Sequence, residues 1–496
     1  MLFNSPSYIL FFPIITSLYF IMPLKFRKIW LLLVSYYFYM SWNPYFAIVL
    51  LISTFSTWIC GISIEQSREI VKRDNTKRDF SKIIIGACVI FNIGMLFMFK
   101  YSNFVIENLN AFLTLLKLNI NVNKFDLLLP VGISFYTFQV IGYIIDVYRS
   151  KTKAERNLIH YGLFVSFFPQ IVAGPIGRYS NLMLRLKQIG YVRESYNKIR
   201  DNIQAGLPIL LWGYFQKLVI ADRASIFVDS VYNNYTSYHA LDIVLASVLY
   251  AIQIYCDFDG YTNIARGCSK ILGIELTKNF QQPYLSTSIK DFWRRWHISL
   301  TSWFTDYLYI SLGGNRKGEI RRYINILIVF LISGMWHGAS WHYVVWGGLH
   351  GIYLIVYNLK VKFSLKSEKT AVLLSTKIRK IIITFFLVDF AWLFFRADGI
   401  ENAFDIIKYT LVNNIWIPSL PNQVFNYADI SILLISILIL LIVDICHEKR
   451  ICFSAKLAEQ EIWFKIIAYD IVIFFILVVG IYGAGYDVTK FIYSQF

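Results

Sequence analysis

Among the side chains suited to moving a proton near neutral pH are seven histidines, and two of them stand where a chemical reading is natural. His337 lies in Gly334-Met335-Trp336-His337-Gly338-Ala339-Ser340-Trp341-His342, at the junction of two apolar stretches. An ionisable group inside apolar surroundings is costly and is usually kept for function. Small residues at 334 and 338 would let neighbouring helices approach closely. Position alone supports equally a proton-transferring imidazole and a structural one bonded to a carbonyl. His297 follows Trp293-Arg294-Arg295-Trp296 and faces either a cavity or lipid headgroups, with position favouring the interface. His342 and His350 read as packing or polar-glue residues, and His160, His239 and His447 as loop residues. His337 and His342 are five apart, and His337 and His350 thirteen apart, so at about 100° per residue they share no helical face and no metal is expected. The sequence contains no GxSxG elbow, P-loop, HExxH or βαβ-type GxGxxG, which disfavours serine-hydrolase and nucleotide-driven chemistry.

The elements that must position these residues are membrane helices. Hydrophobic residues make up 57% of 496 positions and charged ones 16%, against about 25% charged in soluble domains. Apolar stretches near 7–23, 29–42, 45–63, 83–99, 128–147, 204–221, 240–256, 323–336, 339–358, 379–396, 428–445 and 463–485 can satisfy their backbone in lipid only as helices. The expected fold is all-α, a polytopic transmembrane bundle of about eleven spans, a few stretches being short enough to be re-entrant or interfacial. The first stretch has no basic leader or small-residue cleavage site and reads as a permanent span.

A net charge of +17 raises the possibility of a nucleic-acid partner, but the basic residues are dispersed among short loops, as positive-inside orientation requires. Lys25, Arg27 and Lys28, then Arg68 to Lys82, then Arg149 to Arg156, Arg178 to Arg193, and Lys360, Lys362, Lys366 and Lys369 are assigned to the cytoplasm. The uncharged turn at 41–44 and the segment 222–239 fall outside, as does the N-terminus. Cys60, Cys88, Cys256, Cys268, Cys446 and Cys452 form no CxxC and read as reduced apolar residues. No repeat or soluble module is visible, so residues 1–496 are read as a single membrane domain.

Two stretches depart from simple spans. Between about 257 and 320 no apolar run is long enough to cross a bilayer. There Asp291, Phe292, Trp293, Arg294, Arg295, Trp296 and His297, with Leu300, Trp303, Phe304 and Tyr307, place apolar residues at steps of three and four. The spacing predicts one amphipathic helix at the cytoplasmic interface, with Trp293 and Trp296 dipping toward lipid or protein core and Arg294 and Arg295 toward headgroups or an anionic ligand. The other, Phe167-Phe168-Pro169-Gln170-Ile171-Val172-Ala173-Gly174-Pro175-Ile176-Gly177-Arg178, is apolar but broken by two prolines and two glycines before Arg178. It should dip in and return, as a candidate wall of a protein-enclosed cavity.

On these residues the chain resembles the membrane-bound O-acyltransferase family, in its bacterial branch of alginate and peptidoglycan O-acetyltransferase membrane subunits. The resemblance runs through Leu129-Pro130-Val131-Gly132-Ile133-Ser134-Phe135-Tyr136-Thr137-Phe138-Gln139, the loop Phe168-Pro169-Gln170 to Gly174-Pro175-Ile176, and Asp257-Phe258-Asp259-Gly260-Tyr261. It continues through Asn279 to Tyr284, Phe292 to Leu300, Asp306 to Ile310, Leu312 to Arg316, and Trp336-His337-Gly338-Ala339, placing the core motifs within about 130–350. Asp259 stands where Ser is usual and Ser311 where Pro is common.

The resemblance implies helices around a central tunnel, His337 as the catalytic histidine and His297 at the family's second His/Asn position. It also implies that Asp257, Gln170, Trp293, Arg294, Arg295, Trp296, Asp306 and Trp336 line the substrate path. The implied reaction passes an acetyl group from a cytoplasmic thioester, acetyl-CoA or an acyl-carrier protein, through the inner or plasma membrane for O-acetylation of an envelope or extracellular polysaccharide. No bound cofactor is expected; the partners are the donor, the bilayer and an extracytoplasmic acetyltransferase. D-alanyl transfer to teichoic acids and transport or flipping of a solute are the alternatives.

Overall fold

A computed structural model of the chain describes residues 1–74, 76–190, 195–363, 373–413, 415–419 and 425–482. Helix dominates these residues and no strand occurs among them, so the all-α fold class is the observed one. Arg193, Lys366, Lys369 and the end of the 463–485 stretch lie outside the described residues. Seven helices there are long and apolar enough to cross a membrane: Pro44–Arg73, Ser81–Lys100, Tyr196–Asn233, Ala240–Ile271, Trp341–Phe363, Tyr427–Glu448 and Ile462–Val479. Other stretches read as spans form helices that are shorter or more polar. Pro6–Ile21 and Ile133–Tyr148 are apolar but short, Arg27–Met40 has only 14 residues, and Glu319–His337 and Leu374–Arg396 carry several basic residues in their first turns.

Packing divides the chain into two units, Met1–Ile203 with Cys268–Thr277, and Gln204–Gly267 with Lys278–Phe496. The first holds α1 (Pro6–Ile21), α2 (Arg27–Met40), α3 (Pro44–Arg73), α4 (Ser81–Lys100), α5 (Ser102–Leu115), α6 (Ile133–Tyr148), α7 (Leu158–Ser166) and α8 (Tyr179–Gln188). Asn43 opens α3 by accepting the Tyr45 N–H at 2.9 Å, with Pro44 following in the first turn. The helix then continues to Arg73, so Arg68 and Lys72 lie on its last turns instead of in a loop. Two polar pairs sit in this apolar core, Ser53 with Asn92 at 2.7 Å and Tyr161 with Thr57 at 2.8 Å.

Residues 167–178 leave the helical path while almost wholly buried, as the prolines and glycines predict. Part of their backbone is paired within the segment and part from α2: Gly174 N–H donates to Gln170 O at 2.9 Å and Phe168 N–H to Ser35 Oγ at 3.1 Å. Gly132, at the start of α6, has φ of +75°, and a Cβ there would sit 2.3 Å from the Ile171 carbonyl oxygen. Only glycine permits this approach.

The second unit takes in most of α9 (Tyr196–Asn233) and α10 (Ala240–Ile271), then α11 (Ile289–Arg295), α12 (Ile298–Trp303), α13 (Glu319–His337), α14 (Trp341–Phe363) and α15 (Leu374–Arg396). α16 (Ile400–Val412), α17 (Tyr427–Glu448), α18 (Phe453–Ala458) and α19 (Ile462–Val479) follow. Because α9 runs on to Asn233, much of 222–239 is helical instead of the loop expected there. α13 and α14 form a tight hairpin, since a Cβ on Gly334 would lie 2.2 Å from the Tyr343 oxygen and one on Gly347 2.2 Å from the Phe330 oxygen. This is the close approach that the small residues around His337 suggested.

Candidate active site

His337 is the last residue of α13, and Gly338 leaves the helix in an extended conformation. A Cβ at 338 would strike the Tyr343 ring at 2.0 Å, so glycine there lets the chain turn tightly into α14. The imidazole is 3% exposed. Three aromatic rings surround it: Trp336 at 4.9 Å, Trp346 at 5.0 Å and nearly perpendicular, and Phe395 at 5.3 Å. The ring thus sits at the end of a helix, in buried aromatic surroundings.

The sequence predicted one helix through Asp291 to Tyr307, and the structure breaks it. α11 stops at Arg295, Trp296 is extended, His297 takes the left-handed conformation with φ 43° and ψ 55°, and α12 restarts at Ile298 before a π-helical turn over Phe304–Tyr309. The break is imposed from outside the segment. Asn279 accepts the Ile298 N–H through its backbone oxygen at 2.9 Å and the Ser299 N–H through Oδ1 at 3.2 Å, while Gln281 N–H donates to Arg295 O at 3.0 Å. Left-handed backbone is uncommon outside glycine and clusters at functional sites.

His297 is fully buried. Its ring meets Phe258 edge-on at 4.7 Å and Trp336 at 6.1 Å. Burial pushes its pKa down to about 3, so it stays neutral. The structure therefore brings His297 and His337 onto the same indole, Trp336, whose own ring is buried. Two buried imidazoles against one indole have the chemistry to accept or donate a proton and to polarise a carbonyl.

The other expected site residues have varied surroundings. Trp293 donates from Nε1 to His350 Nδ1 at 3.3 Å and packs on Trp346 at 5.9 Å. Trp296 is a core residue against Trp392, Phe280 and Phe292. The two arginines diverge: Arg294 is 74% exposed and paired with Asp291 at 2.6 Å, whereas Arg295 is 13% exposed and tied to Glu448 at 2.6 Å and Asp291 at 3.1 Å. Burial raises the Asp291 pKa, but the guanidiniums of Arg295 and Arg294 outweigh it and hold the carboxyl below its usual range. Asp306 lies half-buried in the π-helical turn.

Asp257 is buried and receives the Lys217 ammonium at 2.6 Å. Asp259 accepts from Gln216 Nε2 at 2.9 Å, which gives the unusual acid at this position a partner. Gln170 belongs to the first unit, buried with Nε2 donating to Gln139 Oε1 at 2.9 Å. His342 Nδ1 lies 2.9 Å from the Phe394 carbonyl oxygen, in keeping with a polar-glue role. His160 and His447, read as loop residues, lie on α7 and α17. Sequence reasoning passed over Lys217 and had Asn279 only as part of a motif, with no role. The first was visible as a lysine within the apolar stretch 204–221, the same signal that singled out His337.

The family model of the membrane-bound O-acyltransferases matches residues 152–397. The chain is 36% identical over 409 residues to a probable alginate O-acetylase of Pseudomonas putida, covering 81% of this chain and 79% of the relative. It is 36% identical over 439 residues to a peptidoglycan O-acetyltransferase of Helicobacter pylori, covering 82% and 79%. A teichoic acid D-alanyltransferase of Bacillus subtilis is 30% identical over 274 residues, covering 54% and 68%.

Proposed function

The chain belongs to the membrane-bound O-acyltransferase family and is a multi-pass membrane O-acyltransferase, and from that premise we propose that it transfers acetyl groups from a thioester donor toward a cell-envelope or extracellular polysaccharide. The single observation carrying the proposed mechanism is the placement of His337, buried among Trp336, Trp346 and Phe395 with His297 against the same Trp336. In the reaction, the neutral His337 imidazole takes the proton of an acceptor hydroxyl as its oxygen bonds to the acyl carbon. The carbon–sulfur bond breaks, and the leaving thiolate takes the proton back from His337 and departs as a thiol. His297 polarises the carbonyl or orients the acceptor.

Aromatic enclosure keeps water from the activated ester and holds donor and acceptor together. The remaining residues of the path in the second unit are Trp293, Trp296, Trp336, Asp306 and Asp257. Exposed Arg294, Arg316 and Lys317 attract the anionic donor, a coenzyme A or carrier-protein thioester. The donor is a co-substrate and no cofactor stays bound. The protein resides in the inner or plasma membrane and passes acetyl to an extracytoplasmic partner transferase.

Acetylation is favoured over D-alanylation because the alginate and peptidoglycan relatives match a larger share of this chain at higher identity than the D-alanyltransferase does. Mass spectrometry of envelope glycans from cells carrying the native chain or His337→Ala tests the reading. O-acetyl esters should disappear with the variant at normal protein level; their persistence contradicts the role of His337, and D-alanyl esters in their place contradict acetylation.

A further inference from the structure

α9 changes its winding over Phe215–Ala221, a π-helical segment in which every residue is buried. Such segments are rare and frequently mark functional sites. Within it, Lys217 Nζ lies 2.6 Å from Asp257 Oδ1 and 2.8 Å from Asp222 Oδ1, with all three side chains no more than 6% exposed. The seam that brings these groups together is built from glycine. A Cβ on Gly213 would lie 2.6 Å from the Gly260 oxygen, and one on Gly260 would lie 2.9 Å from the Gly213 oxygen, so the α9 and α10 backbones touch. Along the same seam Gln216 donates to Asp259 at 2.9 Å and accepts from Asn263 Nδ2 at 2.9 Å.

Both neighbours of Phe258 are therefore tied to α9, Asp257 through Lys217 and Asp259 through Gln216. Phe258, fully buried between them, sets its ring edge-on against His297 at 4.7 Å. From this arrangement we infer that Lys217 is a positioning residue for acyl transfer. Through Asp257 it fixes the rotation of α10 that seats Phe258 against His297, and so seats His297 against Trp336 beside His337. A buried ion pair adds little net stability over apolar packing, so the geometry it imposes is the better reason for a lysine at this depth. The inference rests on the reading of His297 and His337 as the reacting pair.

The test compares purified native protein with Lys217→Met, Lys217→Arg, Phe258→Leu and the Lys217→Met/Phe258→Leu double variant, measured per folded molecule with acetyl-CoA as donor. Lys217→Met should lower kcat roughly ten- to a hundredfold, the scale expected when reacting groups are misplaced, with KM changed less than about twofold. Lys217→Arg should recover most of the loss, and the double variant should lose no more than the worse single one. Should Lys217→Met fail to accumulate, Asp257→Asn takes its place with the same expected loss.

In 5-fluorotryptophan-labelled protein without donor, the 19F resonance assigned to Trp336 should move in Lys217→Met and return in Lys217→Arg. An unmoved resonance, native kcat per folded molecule, or losses that multiply with those of Phe258→Leu overturn the inference. The resonance needs no turnover, so a native protein that transfers no acetyl contradicts the proposed function separately.

Discussion

Buried backbone leaves the helical path in both units, and the two departures are made differently. Residues 167–178 bend at prolines and glycines and pair part of their backbone within the segment, as Gly174 N–H does with Gln170 O. The turn at Trp296 and His297 contains neither residue type. It is held by Asn279 and Gln281, reaching in from a separate stretch of chain, and leaves His297 in a left-handed conformation. Backbone of that kind costs on the order of 1–3 kcal/mol and persists only where its surroundings over-determine it. The first departure follows from residue type; the second is imposed by tertiary contacts, and the imposed one carries a candidate reacting side chain.

Substitutions should separate the two. The largest effect is expected at Gly132, where Gly132→Val meets both a φ of +75° and the Ile171 oxygen; the loss should be at least about 3 kcal/mol, read as a fall in thermal midpoint in detergent. Next, His297→Val places a β-branched residue in left-handed backbone and should lose about 2 kcal/mol. His297→Asn, which tolerates that backbone, should remain within about 1 kcal/mol of the native protein. Equal stability of the two His297 variants would remove the imposed strain from the account.

Asn279→Ala strips the acceptor of the Ser299 N–H and should cost about 1–2 kcal/mol, measured by the same unfolding. Its acetyl transfer should fall by more than its stability does, and unchanged transfer would separate the clasp from the chemistry.

The smallest effect is on acid stability. The Asp291 carboxyl is held below its usual range by Arg295 and Arg294 despite burial. The Glu155 carboxyl is likewise depressed: burial raises its pKa, but the Lys187 ammonium, the Asn157 N–H and the Tyr179 hydroxyl outweigh it. A depressed carboxyl contributes stability above its unfolded pKa, about 4, and loses it as pH falls through the lower folded value. Thermal midpoints should therefore fall on acidification below about pH 4, and Arg295→Ala should reduce that fall by removing its part of the hold on Asp291.

The helices were legible because apolar runs in lipid have one way to satisfy their backbone, and the bend at 167–178 because proline and glycine announce it. His337 was legible as an ionisable residue between apolar runs. The same rule applied to Lys217 would have found the α9–α10 seam. The break at His297 was not legible, since the periodicity of Phe292, Trp296, Leu300 and Trp303 is genuinely helical and the force that interrupts it comes from Asn279. Nor was the division between Arg294 and Arg295, because which arginine reaches Glu448 depends on α17, far away in sequence. Apolar length alone does not register the basic first turns of α13 and α15, which keep these two out of the described helices that are long and apolar enough to cross a membrane.

The central claim is that the His337 imidazole takes the acceptor proton. It is tested most directly by reconstituting native and His337→Ala protein in liposomes, supplying labelled acetyl thioester and a purified hydroxyl acceptor, and counting acetyl ester formed per folded molecule. Loss of about a hundredfold or more, the lower range for general-base catalysis, is the predicted result; transfer at the native rate by the alanine variant contradicts it.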